Sequence, residues 1–145
     1  MRKSLKWFLK IVLFIFILDM GISVYVLMHD FKIRYPDLDF STARLGVASW
    51  YSRNDKGVKK HTASGEKFND TRLTCASWDF PFGTRLLVVN VLNGKWVVCR
   101  VNDRGPNKRL KREVDLTKAA FGKIANPKRG LSYVAFLPVQ EGKKS

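Results

Sequence analysis

The chain has 145 residues, with 27 Lys+Arg against 12 Asp+Glu and a formal net charge of +15. That length suits one ordinary domain plus an appendage rather than two large domains, and a hydrophobic fraction of 46% excludes general disorder. With only two His and two Cys, a Cys/His zinc cluster, which needs four ligands at short spacings, is nearly excluded, and neither a metal nor a cofactor is expected.

Residues 1–10 carry Arg2, Lys3, Lys6 and Lys10 and no acid. Residues 11–28 (IVLFIFILDMGISVYVLM) follow with a single charge, Asp19. As a helix these 18 residues would span about 27 Å at ~1.5 Å per residue, close to a bilayer core. The basic flank stays cytoplasmic, so the rest of the chain is expected to be exported. Residues 1–28 therefore read as a signal-anchor, with a cleaved signal peptide as the alternative. Residues 29–40, with Tyr35-Pro36-Asp37 and no periodicity, read as a linker.

From residue 41 the pattern becomes short β segments divided by turn signals. Residues 46–51 (GVASWY) are apolar and aromatic. Residues 85–92 and 95–102 flank Asn93-Gly94, a strong hairpin signal. Asp103-Arg104-Gly105-Pro106 ends the second of these strands. Residues 115–125 have Leu116, Ala119, Ala120 and Ile124 at helical spacing, which predicts a short helix with Asp115 as its N-cap. Residues 132–139 predict a last strand, with Pro138 at its edge or end. The domain spans 41–141, and 142–145 form a tail. Mostly β structure with one or two short helices suits a small closed barrel.

Cys75 and Cys99 both fall on the exported side. An oxidising compartment favours a bridge between them, which would close a loop of about 25 residues. Two separate buried thiols are the alternative.

Four blocks stand out in order: GVASWYS (46–52), TASGEKFN (62–69), LTCASWDFPFGTRLLVVNVLNGKWVVCRVNDRGP (73–106) and RLKREVDLTKAAF (109–121). Together they resemble the rare lipoprotein A (RlpA-like) family of septal ring lytic transglycosylases, over nearly all of residues 46–139. The resemblance implies a six-stranded double-psi β-barrel. It also implies cleavage of the β-1,4 bond between N-acetylmuramic acid and N-acetylglucosamine, without water, to a 1,6-anhydro product. A carboxylic acid must protonate the glycosidic oxygen, and the same group or a helper must take the proton from the C6 hydroxyl. Ordinary glycoside hydrolysis differs in spending a water.

Carried over by motif, the candidate catalytic acids are Glu66 of TASGE and Asp103 of VNDRGP, with Asp115 of VDLT as a third. Each has a plainer reading: a surface acid for Glu66, a turn residue for Asp103, a helix cap for Asp115. Arg100 and Arg104 lie close to Asp103 in sequence, which leaves open whether it or Glu66 supplies the proton. The family histidine falls on Ser77, and an acid common three residues after TASGE falls on Asn69. A hydroxyl and an amide can bind substrate, but neither titrates near neutral pH. That departure keeps a non-catalytic, expansin-like wall-binding module as the alternative. His61, beside TASGE, is either a substitute for the lost imidazole or an exposed loop residue. Trp50, Tyr51 and Trp78 are candidates to stack on sugars, or core residues. Asn102 and Arg104 complete the substrate-contact set.

Sorting the charge by segment sharpens it. Residues 1–40 carry six basic and four acidic groups, whereas residues 41–145 carry 21 and eight, a net of +13. Export removes nucleic acid as the natural target. The expected partners are peptidoglycan glycan strands and, through the N-terminal helix, the inner membrane of a bacterial envelope. The chain is read as a monomer.

Overall fold

Alternation of apolar and polar residues at a period of two commits this chain to strands that bury one face. In the computed structural model, which describes residues 38–139, the strands are β1 (Arg44–Tyr51), β2 (Thr74–Ala76), β3 (Arg85–Asn90), β4 (Trp96–Asp103), β5 (Val114–Thr117) and β6 (Leu131–Val139). One α-helix, α1 (Lys118–Ile124), lies between β5 and β6. The expected N-terminal helix, most of the linker and the tail lie outside the described residues.

The strands close into a barrel in the order β1-β5-β2-β4-β3-β6. The pairs β1/β5 and β2/β4 are parallel and the other pairings antiparallel. Closure leaves no strand edge open to another chain. Inward residues of each strand build the core: Ala48, Cys75, Leu86, Val88, Val97, Cys99, Val101, Val114, Leu116, Val134 and Phe136. Phe121 and Ile124 of α1, both fully buried, pack into the same cluster. Full burial of a side chain like Phe121 contributes on the order of 2–3 kcal/mol.

The β3–β4 hairpin forms where Asn93-Gly94 predicts it. Gly94 takes φ +69°, a conformation favoured for glycine. Asn90 and Asn93 both donate side-chain N–H groups to the Ile124 carbonyl, at 3.0 and 3.1 Å. The hairpin thereby satisfies a carbonyl at the end of α1 that has no partner within the helix. Pro138 pairs with Leu86 of β3 and lies past Phe136, the last residue of β6 matched to β1, so the expectation of a strand end holds locally.

One expectation is corrected. Asp115 is not a helix cap: residues 114–117 form β5, and α1 begins at Lys118 with Thr117 as N-cap. The V-D-L-T alternation buries Val114 and Leu116, and β5 pairs with β1 on one side and β2 on the other. Pairing on both sides outweighs the local helical preference of the residues that follow.

Cys75 on β2 and Cys99 on β4 are joined by a disulfide, with 5.9 Å between their Cα atoms. Both sulfur-bearing residues are fully buried.

Candidate active site

Strand register builds the site. Ser49 pairs with Asp115, Asp115 with Ala76, and Ala76 with Asp103, one row across β1, β5, β2 and β4. Their chain neighbours Ala48, Cys75 and Leu116 belong to the core, so the row faces outward. The register of β2 against β4 shifts between Cys75, matched to Val101, and Ala76, matched to Asp103. This bulge skips Asn102 and brings Asp103, not the amide, level with Ala76. The two carboxylate-bearing strands stand about 10 Å apart at their backbones, because one strand lies between them at ~4.8 Å spacing. Ala76 is the residue paired with both.

Asp115, Ala76 and Asp103 of this row floor a groove of about 640 Å³ whose walls include Tyr51, Lys59, His61, Ala63, Arg104 and Leu110, while Ser49 is buried behind them. Gly105 packs close to the row. A Cβ there would stand 3.3 Å from the Ala76 methyl and 3.7 Å from Asp115 Oδ2, so glycine permits this approach.

The two acids have different surroundings. Asp103 Oδ1 accepts the backbone N–H groups of Ala63 and Arg104, each at 2.8 Å. Asp115 accepts the Ser49 hydroxyl. Burial pushes the Asp115 carboxyl above the ordinary carboxylate range, and the charge of Asp103 adds to this; the Ser49 hydrogen bond and Arg112 oppose it. Tyr51 stacks on Phe68 with ring centroids 4.9 Å apart. Its buried hydroxyl has no hydrogen-bond partner among the described residues. Burial, then the charges of Asp103 and Asp115, keep that hydroxyl protonated well above its usual range.

Glu66 is not among the residues lining this groove. Its two oxygens accept Arg100 Nη1 and Nη2 at 2.7 and 2.8 Å, and Asn102 Nδ2 at 3.2 Å. The hydrogen bonds to Arg100 and Asn102 lead, with the Arg100 charge added, and they hold the Glu66 carboxyl down to about 2. The same pair raises Arg100. A carboxyl so held is charged at neutral pH and has no proton to donate. Its visible work is structural: residues 62–66 turn against the end of β4, with Ser64 N–H on Asn102 O at 3.2 Å and Ala63 N–H on Asp103.

A lowered carboxyl stabilises the fold above its ordinary value near 4.5, and that contribution is lost as pH falls from there toward 2. Glu66 and Arg100 side chains are 37% and 38% exposed, so screening limits the pair to about 1 kcal/mol. Glu66→Gln is therefore expected to lower stability by about 1 kcal/mol at pH 7. In urea unfolding, its gap from the wild type should close between about pH 4.5 and 2.

The remaining expected contacts divide. Ser77 is 1% exposed, and its hydroxyl accepts the Asp79 N–H at 3.3 Å, so it offers substrate no surface. Asn102 is buried against Glu66. Asn69 turns its side chain to Thr71, accepting N–H and hydroxyl at 2.9 and 2.7 Å. The Arg104 guanidinium donates to the Ser77 and Phe80 carbonyls at 2.8 and 2.9 Å and lies over Phe82, fastening that loop. Trp78 is half exposed, its indole N–H donating to Pro106 O at 2.7 Å. Trp50 donates to Pro127 O and lines a second cavity of about 540 Å³ that shares Leu110 with the groove. Sequence reasoning missed Ser49, Ala63 and Ala76; only their positions inside the GVASWYS, TASGE and LTCAS blocks signalled them. No group of three or more metal-binding side chains occurs among the described residues.

A family model described as "Lytic transglycolase" matches residues 43–136, a span that contains β1 to β5 whole and the first six of the nine residues of β6. The chain belongs to the lytic transglycolase family. Its barrel is accordingly the double-psi barrel of that family, as the motif blocks imply. The chain is 48% identical over 75 residues to the probable endolytic peptidoglycan transglycosylase RlpA of Nostoc sp., covering 52% of this chain and 20% of that protein. It is 44% identical over 95 residues to the probable endolytic peptidoglycan transglycosylase RlpA of Synechocystis sp., covering 66% and 29%. It thus spans well under half of these relatives. Among solved structures, a mutant Clavibacter michiganensis expansin in complex with cellohexaose superposes with TM-score 0.54 at 18% identity, covering 71% of this chain and 53% of that one. That likeness concerns the fold alone.

Proposed function

We propose that this lytic transglycolase domain cleaves the β-1,4 bond between N-acetylmuramic acid and N-acetylglucosamine in peptidoglycan, leaving a 1,6-anhydro end. The observation that carries the reading is the row Asp115–Ala76–Asp103 on the floor of a groove, with Ser49 hydrogen-bonded to Asp115 at its end. Two carboxylates with unlike surroundings are what acid and base roles require.

Asp115, which tends to hold its proton, donates it to the glycosidic oxygen as the bond from C1 to that oxygen breaks. Asp103, oriented by two backbone N–H groups, takes the proton from the C6 hydroxyl as O6 bonds to C1. No water is consumed. One proton has left Asp115 and one has reached Asp103, so the pair resets by proton exchange through solvent. Glu66 acts at one remove, by pinning the turn that supplies the Ala63 N–H. Trp50, on the adjoining cavity, and the half-exposed Trp78 offer aromatic faces for sugar rings.

In this reading the domain works on the exported side of a bacterial envelope, tethered by residues 11–28. The Cys75–Cys99 bridge supports an oxidising compartment. The wall-binding alternative is favoured by one observation: no imidazole stands at position 77, and the serine there is buried. His61, which lines the groove, is the nearest substitute in kind.

The test is to incubate the full-length protein with purified glycan strands and identify new ends by mass spectrometry. Anhydro-muramic ends are expected. Their absence, with sacculus binding retained, overturns the catalytic reading and leaves the binding one.

A further inference from the structure

The barrel carries an apolar face on the side away from the groove. Strand register places Trp96 beside Val89, Val89 beside Ala135, and Ala135 beside Leu45, one row across β4, β3, β6 and β1. Their chain neighbours Val88, Val97, Val134 and Phe136 belong to the core, so this row faces outward. Leu45 and Tyr133 are 78% and 63% exposed, and Val91, whose N–H donates to Tyr133 O at 3.1 Å, is exposed beside them. In the closed strand order, β3 and β6 stand three places from β5 and β2, the strands that carry Asp115 and Ala76. The apolar face and the acid groove therefore point to opposite sides.

The segments that build most of this face are basic. Residues 85–99 and 127–139 hold Arg85, Lys95, Lys128 and Arg129 and no acid. Lys95, Lys128 and Arg129 are exposed and pair with no carboxylate among the described residues. At the β1 edge, Glu113 accepts the Val47 N–H at 2.6 Å and Arg44 is paired with Asp79. A contiguous exposed apolar patch marks an interaction surface. A second copy of the chain would bring two sets of cations together, which like charge opposes. An anionic bilayer attracts those cations and takes up the apolar side chains, with Tyr133 suited to the headgroup level. The chain also enters the barrel here: Leu38 is buried, and the turn Phe40–Thr42 packs on β6. Only residues 29–37 separate Leu38 from the apolar run 11–28, a reach of at most about 30 Å at ~3.3 Å per residue.

We propose that this face docks on an anionic phospholipid surface, that of the membrane holding residues 11–28. The proposal rests on the tethered reading of the domain and adds an orientation to it: apolar face on the lipid, acid groove turned toward the wall.

The test reconstitutes full-length protein into nanodiscs of phosphatidylcholine alone or mixed with phosphatidylglycerol. Nitroxide labels on Leu45→Cys and Tyr133→Cys report on the face, and one on Lys56→Cys reports on the groove side. The native cysteines are bridged and buried, so they take no label. Power saturation with a water-soluble nickel complex reads the exposure of each label. With phosphatidylglycerol present, both face labels should lose about threefold in nickel accessibility, as side chains sunk to the headgroup boundary do, while the Lys56→Cys label loses none. Lys128→Glu with Arg129→Glu should reverse that loss on the same discs. Face labels that stay in water on discs carrying the protein would overturn the docking and leave the tether standing. Equal protection of all three labels, or protection in detergent alongside a dimer by light scattering, would overturn it as well. If the protein does not hold on discs, the tether reading falls, and the same labels are read on added phosphatidylglycerol vesicles. Protection of the face alone then supports the docking, and exposure to water refutes it. None of these outcomes depends on glycan cleavage.

Discussion

Asp115→Asn is expected to lower the rate of anhydro-end formation by about 10²- to 10⁴-fold, the range associated with a positioned general acid. The amide keeps the shape of the carboxyl and can still accept the Ser49 hydroxyl, but it has no proton to give at the glycosidic oxygen. Stability should move the other way. Burial raises the Asp115 carboxyl, so the folded state holds its proton more tightly than the unfolded chain does. Folding is then weakened as pH rises from the ordinary carboxylate value through the raised one, because a charge must be kept in a buried place. Asparagine carries no such charge. At pH 7 the variant should unfold at a temperature equal to or above the wild type, and below about pH 4 the difference should vanish. Circular dichroism melts across pH check this. A dead and less stable variant would point to damage, not to a lost proton donor. The wild-type rate should itself fall as pH rises through the raised Asp115 value, since the deprotonated acid cannot donate.

Loss of the Cys75–Cys99 bridge is the second large effect. The cysteines are 24 positions apart, and opening such a loop is worth about 3 kcal/mol in the chain-entropy description. For a domain near 100 residues that corresponds to roughly 10–20 °C in Tm. The local consequence is larger than the average suggests. The strand β2 has only three residues, and the bridge is its covalent tie to β4. Ala76, the middle of the acid row, is the next residue after Cys75. Reduction should therefore depress the cleavage rate along with the melting temperature. Thermal unfolding with and without reductant, alongside a mass gain of two hydrogens on reduction, measures both. An unchanged Tm in fully reduced protein would contradict this role for the bridge.

Strands β1, β3, β4 and β6 are long enough for alternation to betray them, and Asn93-Gly94 marks the hairpin between β3 and β4. The strands β2 and β5, with three and four residues, are not. No period can be read from T-C-A. V-D-L-T runs directly into a helix, so its aspartate passes for a cap. Their presence came from the motif blocks, which implied six strands where the pattern gave four. The site followed the same division. The motifs pointed to Glu66, Asp103 and Asp115, but partners far apart in sequence decide what each can do. Glu66 meets Arg100, 34 residues away, and is fixed in its charged form. Asp103 faces the groove only because of a bulge in strand register, which leaves no trace in composition. Asp115 lies close to Gly105 and is joined to Ser49, 66 residues away. Motif spacing identifies the acids; the fold sorts them.

That sorting gives the decisive comparison. Full-length Asp103→Asn, Asp115→Asn and Glu66→Gln proteins, each verified as folded, are assayed side by side on the same glycan strands, with anhydro-muramic ends counted by mass spectrometry. Both aspartate variants should lose cleavage, while Glu66→Gln keeps a substantial part of it. A dead Glu66→Gln beside an active Asp115→Asn would contradict the assignment of the chemistry to the two outward aspartates.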